Sequence, residues 1–468
     1  MKNLFLLLIL FFAQGLIAQD DSCRILIQAE GYQGGVAKLI GIYGDQNFME
    51  DSAYIDSTGR IEFRRKSPFK PGYFYVIFPD KSNLHMILDE DQHFSMKTSK
   101  SDLLGSMKVE SSLDNKLLYE SLKLQIRLEK ESDSLNVLKN AAGKDSVILK
   151  KYDQKMKQIQ LEKKKQLESF QKKYPNTFFT RFKMAGQNPE LVEIKKENGE
   201  TDNDKQIELY REAFWDNVDF HDVRLLSTPV IANKLKRYIT ELTPQNPDSI
   251  IRQADYIIQK SLVNKEMFQY ICNWIALNYQ PTQTKIMDGE AVFVHILDKY
   301  FTKEFAFWMS EKDLSLVKKK VFEMKSSLLN CQGPDVVSQD FYGNTRSIYE
   351  LKEDFIIVYM FDPDCDHCQK ETPQLLEIYK EWKPKGVEVF AIVLNSTEKQ
   401  WRDFIARYKT ESWINVFDPT NKSFYAKYFV DITPEIYVLN KERKIIGKNL
   451  HPEQIPFIIK QDLERIKK

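Results

Sequence analysis

The stretch Phe355-Ile356-Ile357-Val358-Tyr359-Met360-Phe361-Asp362-Pro363-Asp364-Cys365-Asp366-His367-Cys368 decides the fold of the C-terminal part of this 468-residue chain. The run from Phe355 to Phe361 is apolar throughout and reads as a strand buried on both faces. From Gln369 to Trp382 apolar residues recur at helical spacing, so the two cysteines, three apart, stand where a strand turns into a helix.

The alternation continues on either side. Val387 to Leu394 reads as a second buried strand, Glu398 to Tyr408 as a second helix, Ile436 to Leu439 as a third strand, and Lys444 to Gly447 as the start of a fourth. Upstream, Gly333-Pro334-Asp335-Val336 is an opening turn and Tyr342-Gly343-Asn344 a short hairpin. Residues 331–468 are therefore expected to form a mixed α/β domain.

This segment resembles the TlpA-like branch of the thioredoxin superfamily. Three features carry the resemblance: the Cys365-Asp366-His367-Cys368 turn after a buried strand, Pro373 within the following helix, and Thr433-Pro434 before the strand Ile436 to Leu439. The 66 residues from Cys368 to Pro434 are more than plain thioredoxin has and match the insertion typical of that branch. The resemblance implies a thioredoxin-like fold, a thiol-disulfide oxidoreductase, no cofactor beyond a redox-active Cys365–Cys368 disulfide, and a cis Pro434 facing the dithiol.

On that reading Cys365, at the helix start, feels the positive end of the helix dipole and is the nucleophile. Cys368, one turn in, resolves the mixed disulfide. His367 favours the thiolate, whereas Asp362, Asp364 and Asp366 oppose it by like charge, so Asp366 and His367 are the expected redox-tuning pair. Glu371 matches a glutamate that TlpA-like reductases keep near the dithiol and is the candidate proton acceptor for Cys368. Its plainer reading is an exposed helix glutamate. Thr433 and Pro434 are expected to bind an extended substrate peptide by strand addition. Two positions depart from the family pattern: Asp364 replaces the usual tryptophan before the first cysteine, and Tyr359 replaces thioredoxin's buried carboxylate.

Alternatives stay open at this point. A structural disulfide closing so small a loop constrains the unfolded chain little. Cys365, His367 and Cys368 as a copper or zinc site would make the chain a metal-binding chaperone, although no second ligand set is evident and no metal ligand is assigned. A third alternative is a non-catalytic envelope interaction protein. Peroxiredoxin chemistry lacks its threonine or serine three residues before Cys365.

The chain begins with Lys2, the apolar run Leu4 to Ala13 and a cleavage site near Ala18, so residues 1–18 read as a signal peptide and the mature protein as periplasmic. Ten apolar residues are too few to span a bilayer, and membrane attachment follows only if the signal is retained. The polar Asp20-Asp21-Ser22 before Cys23 argues against lipidation. Residues 19–105 show strand-like runs at regular spacing and read as a β-sandwich-like domain, within which His85 and His93 are structural. Residues 106–330 read as α-helical: a long hairpin turning at Gly143, then a bundle, with Cys272 a small buried hydrophobe. The charged hairpin is a solvated face, the alternative being a homodimer seam. Both upstream segments resemble domains of unknown function that precede thioredoxin-like modules in Bacteroidota.

Composition sets the outer limits. Apolar residues at 42% and aromatics at 12% fill several cores, and a formal net charge of +1 excludes a nucleic-acid binder built on a basic surface. The expected partners are disulfide-containing envelope proteins and an upstream thiol electron donor.

Overall fold

The computed structural model describes residues 22–143, 146–281, 283–284, 286–417, 427–430 and 432–466, and the expected signal peptide lies outside them. The order of regions is the expected one: a sheet-rich N-terminal part, a helical middle and a C-terminal α/β domain. The chain up to Leu235 forms one compact unit and the chain from Lys236 a second.

In the first unit eight strands make two four-stranded sheets. They are β1 (Cys23–Glu30), β2 (Val36–Tyr43), β3 (Gln46–Tyr54), β4 (Arg60–Arg65), β5 (Gly72–Ile77), β6 (Asn83–Leu88), β7 (His93–Ser99) and β8 (Lys108–Glu110). The sheet orders are β4-β1-β7-β8 and β3-β2-β5-β6. Alternation drives the packing, as in β1, where Cys23, Ile25, Ile27 and Ala29 all point inward. Sequence periodicity missed β3 and β8. β3 is an edge strand exposed along most of its length, so it carries no apolar alternation, and β8 has only three residues. His85 is half-buried against the rings of Tyr73 and Tyr75.

Helix α1 (Leu113–Ala142) starts at the Ser112 cap and stops at Gly143, whose φ of 58° suits a residue without a Cβ. α2 (Ser146–Lys173) then returns alongside it, cross-tied by the Arg127–Glu162 ion pair. α3 (Phe178–Ala185) and α4 (Asn203–Glu212) follow. Arg224 donates from Nη1 to both carboxylate oxygens of Asp89, at 3.0 and 2.9 Å, and from Nη2 to Asp222 at 2.7 Å, which ties this helical segment to the turn between β6 and β7. Among the described residues no helix is long and apolar enough to cross a membrane.

α5 (Val230–Thr240) leads into the second unit, where α6 (Pro247–Ser261), α7 (Lys265–Tyr279), α8 (Glu290–Tyr300) and α9 (Glu311–Lys325) pack in sequence. Cys272 is fully buried in α7, and burial pushes its thiol well above the ordinary range. The rest of the unit comprises β9 (Val337–Asp340), β10 (Thr345–Ser347), β11 (Phe355–Phe361), α10 (Asp366–Trp382), β12 (Val387–Val393), α11 (Glu398–Tyr408), β13 (Ile414–Phe417), β14 (Glu435–Leu439), β15 (Ile445–Gly447) and α12 (Ile455–Ile466). They build a seven-stranded sheet in the order β10-β9-β13-β12-β11-β14-β15, with β11, β12 and β13 parallel and β14 antiparallel to β11.

Every residue of β11 and β12 is buried, as parallel strands covered on both faces require. One face packs against Leu375 and Tyr379 of α10, Trp401 and Phe404 of α11, and Ile455 and Ile459 of α12. The helical segment is joined to this domain by a buried polar cluster. Lys448 Nζ lies 3.4 Å from Asp288 and 3.7 Å from Glu290, the Leu329 N–H donates to Asp288 at 2.9 Å, and Asn449 donates to Glu290 at 2.7 Å.

Candidate active site

The site forms where β11 runs out at the middle of the sheet. Asp362 makes the turn: its carboxylate accepts the Asp364 N–H at 2.9 Å and its carbonyl accepts the Cys365 N–H at 3.1 Å. Cys365 is then the N-cap of α10, with extended backbone angles, and its Sγ accepts the Cys368 N–H at 3.3 Å, the place a serine or aspartate oxygen usually takes. The unpaired N–H groups of the first helical turn converge on this sulfur.

The two cysteines are both thiols and differ sharply in environment. Partial burial raises Cys365, but hydrogen bonds from the side chain and backbone of Cys368, with the backbone of His367, outweigh it, so Cys365 ionises below the ordinary thiol range. Cys368 is fully buried, and that burial, reinforced by its hydrogen bond to Cys365, pushes its thiol far above the ordinary range. The Thr433–Pro434 peptide is cis, and the Thr433 carbonyl accepts the Cys365 thiol at 3.1 Å, which by itself favours the proton, while a hydrogen bond from the Thr433 side chain joins those that lower Cys365.

Tyr359 lies beneath the dithiol. Its hydroxyl is 2.8 Å from Thr372 Oγ1 and donates to the Cys368 carbonyl at 3.4 Å, while Thr372 donates to the same carbonyl at 2.7 Å. Burial holds the Tyr359 phenol well above its ordinary range, so a neutral hydroxyl stands at this depth. Pro373 follows directly and, lacking an N–H, offers the Gln369 carbonyl no helical partner.

The structure brings Cys365, Cys368, Thr433 and Pro434 together. Asp366 and His367 are exposed on the first turn, and His367 acts on Cys365 through its backbone N–H. Glu371 has a side chain only 13% exposed and bonded to His451 Nδ1 at 2.9 Å. Asp364 is bonded by Gln400 Nε2 at 3.0 Å, and Gln400 also closes the Thr397 capping box that starts α11. Sequence reasoning missed Gln400, although Thr397-Glu398-Lys399-Gln400 carries the capping-box signature, and it missed His451, for which no local signal exists. Among the described residues no group of three or more His, Cys, Asp or Glu is placed to hold a metal ion.

Residues 353–445 match the family model described as thioredoxin-like. The C-terminal domain belongs to the thioredoxin-like family. Residues 154–330 match a domain of unknown function, DUF5106. Two similar proteins are named thiol-disulfide oxidoreductase ResA. The one from Bacillus cereus is 26% identical over 117 residues, 25% of this chain and 66% of the relative. The one from Bacillus anthracis is 24% identical over 115 residues, again 25% of this chain and 65% of the relative. The chain thus spans just under two thirds of the length of these relatives. Among solved structures, a domain of a possible thiol-disulfide isomerase from Cytophaga hutchinsonii is 31% identical, covering 30% of this chain and 96% of that one, with a TM-score of 0.29. The thioredoxin-like domain is thus related to proteins named for thiol-disulfide exchange.

Proposed function

We propose that this protein is an exported thiol-disulfide oxidoreductase that reduces disulfides of envelope proteins through Cys365 and Cys368. One observation carries the reading: a partly exposed thiol that caps the N-terminus of α10 and accepts the Cys368 N–H at 3.3 Å, one turn before a thiol that is fully buried. That asymmetry divides the labour of thiol-disulfide exchange. The Cys365 thiolate attacks one sulfur of the substrate disulfide, forming a mixed disulfide and expelling the other substrate sulfur as a thiolate that takes up a proton. Cys368 loses its proton and attacks Cys365. The Cys365–Cys368 bond forms, the second substrate sulfur leaves, and the dithiol is oxidised by two electrons as the substrate is reduced by two. An upstream thiol donor then restores the dithiol.

The Thr433 carbonyl, beside Cys365 and just before β14, supports binding of an extended substrate backbone by strand addition. The test is insulin-type disulfide reduction. Cys365→Ser is expected to abolish it and Cys368→Ser to accumulate mixed disulfides with substrate. Full activity in Cys365→Ser overturns the mechanism. Stoichiometric Cu(I) or Zn binding by reduced protein with no reductase activity favours the metal-chaperone alternative instead.

A further inference from the structure

Resolution of the mixed disulfide needs a proton acceptor for Cys368, which is shut off from water. Glu371 is three residues further along α10, one turn on and on the same face. Side chains three apart on a helix are neighbours, so the Glu371 carboxylate and the Cys368 sulfur share that flank of α10. A carboxylate side chain only 13% exposed has lost most of its water and depends on protein donors for its orientation.

The donor that the structure supplies comes from far along the chain. His451 stands 80 residues away in sequence, and its ring Nδ1 lies 2.9 Å from Glu371 Oε1. The histidine is itself anchored. Its backbone N–H donates to Gln454 Oε1 at 2.8 Å and its carbonyl accepts the Gln454 N–H at 3.0 Å, so it opens the short turn Pro452–Gln454 that leads into α12. That turn packs against α10. The ring is 66% exposed, which makes it a bridge from the solvent side to a carboxylate facing inward.

We infer that His451 is a positioning residue for the resolving step: it holds the Glu371 carboxylate turned toward Cys368, where it accepts the thiol proton as Cys368 attacks Cys365. This rests on the proposed function, since it assigns a role within that reaction. In the step, the Cys368 S–H proton passes to Glu371, the Cys368–Cys365 bond forms, and the electron pair of the broken bond leaves with the substrate sulfur. The departing thiolate is protonated by solvent, and Glu371 returns its proton to water.

The test compares full-length wild type with His451→Leu, which removes the donor, and His451→Asn, whose side-chain amide nitrogen falls near the place of Nδ1. The mixed disulfide is formed with a small aromatic disulfide that releases a chromophore, and its resolution is followed in a single turnover. His451→Leu is expected to resolve about tenfold more slowly, with iodoacetamide alkylation of Cys365 unchanged, and His451→Asn is expected to recover most of the loss. A wild-type resolution rate in His451→Leu overturns the inference and leaves the proposed function standing, as does a loss that His451→Asn fails to restore. A wild-type protein that reduces no disulfide overturns both. Unchanged Cys365 alkylation separates a positioning role from general disruption of the site, which slows both steps.

Discussion

Replacing Asp288 by asparagine changes how the second unit responds to pH, and the size of the change follows from burial. The Asp288 side chain is 3% exposed. Desolvation raises its pKa from 3.8 to about 6, with Lys448 and the Leu329 N–H only partly offsetting that. The folded state therefore binds this proton more tightly than the unfolded chain between about pH 4 and pH 6. The contribution is fully present below about pH 4 and is lost as pH rises through 6. A shift of roughly two units corresponds to about 3 kcal/mol. Asparagine mimics the neutral acid and still accepts the Leu329 N–H, so relative to wild type Asp288→Asn gains about 3 kcal/mol between pH 4 and pH 7. For a unit of this size each kcal/mol moves the midpoint by about 2–4 °C. Calorimetry of both proteins at pH 4.5, 6 and 7.5 gives the difference directly. A gap that stays constant with pH refutes the argument. One that moves in favour of wild type at pH 7.5 shows that pairing with Lys448 outweighs desolvation.

The partner of that cluster gives the opposite experiment. Lys448→Met leaves Asp288 and Glu290 buried without their counter-charge and is expected to cost about 3–5 kcal/mol near neutral pH, read from the same unfolding transition. Iodoacetamide with peptide mapping should label Cys365 and spare Cys368 in the native protein, at a rate that levels off below the ordinary thiol pKa of about 8.5. A Cys365 rate still climbing beyond pH 9 contradicts the helix-end argument. Leu375 is fully buried between α10 and the sheet, so Leu375→Ala is expected to lose about 2–5 kcal/mol by denaturant unfolding without changing the order of thiol reactivity.

The parts of this chain legible in its sequence are those where local pattern and tertiary role coincide. β11 and β12 are buried on both faces and so read as unbroken apolar runs, and the dithiol follows at the strand-to-helix turn. The long hairpin announced itself through helical spacing interrupted at Gly143. β13 escaped because Asn415 interrupts its apolar run. That asparagine is buried and donates to the carbonyls of Thr410 and Trp413 in the turn just before the strand, so its polar side chain is spent on local capping that an apolar-run pattern does not register. His451 behind Glu371 and Lys448 behind Asp288 are hidden by distance along the chain, since each pair is separated by 80 or more residues and is brought together only by the tertiary fold. Glu371 itself was identified as a candidate, but its surroundings were not readable, since an amphipathic helix pattern does not say how deep its flank sits.

The carbonyl of Thr433 has a consequence beyond the strand addition proposed for it. While Cys365 keeps its proton, that carbonyl is occupied by the thiol. Once the sulfur ionises, the bond disappears, and the oxygen, now facing a negative charge, is left seeking a donor. On the proposed function, the donor that fits is a main-chain N–H of the substrate. A single proton thus decides whether this carbonyl is occupied: held by the thiol before ionisation, open to another donor after it.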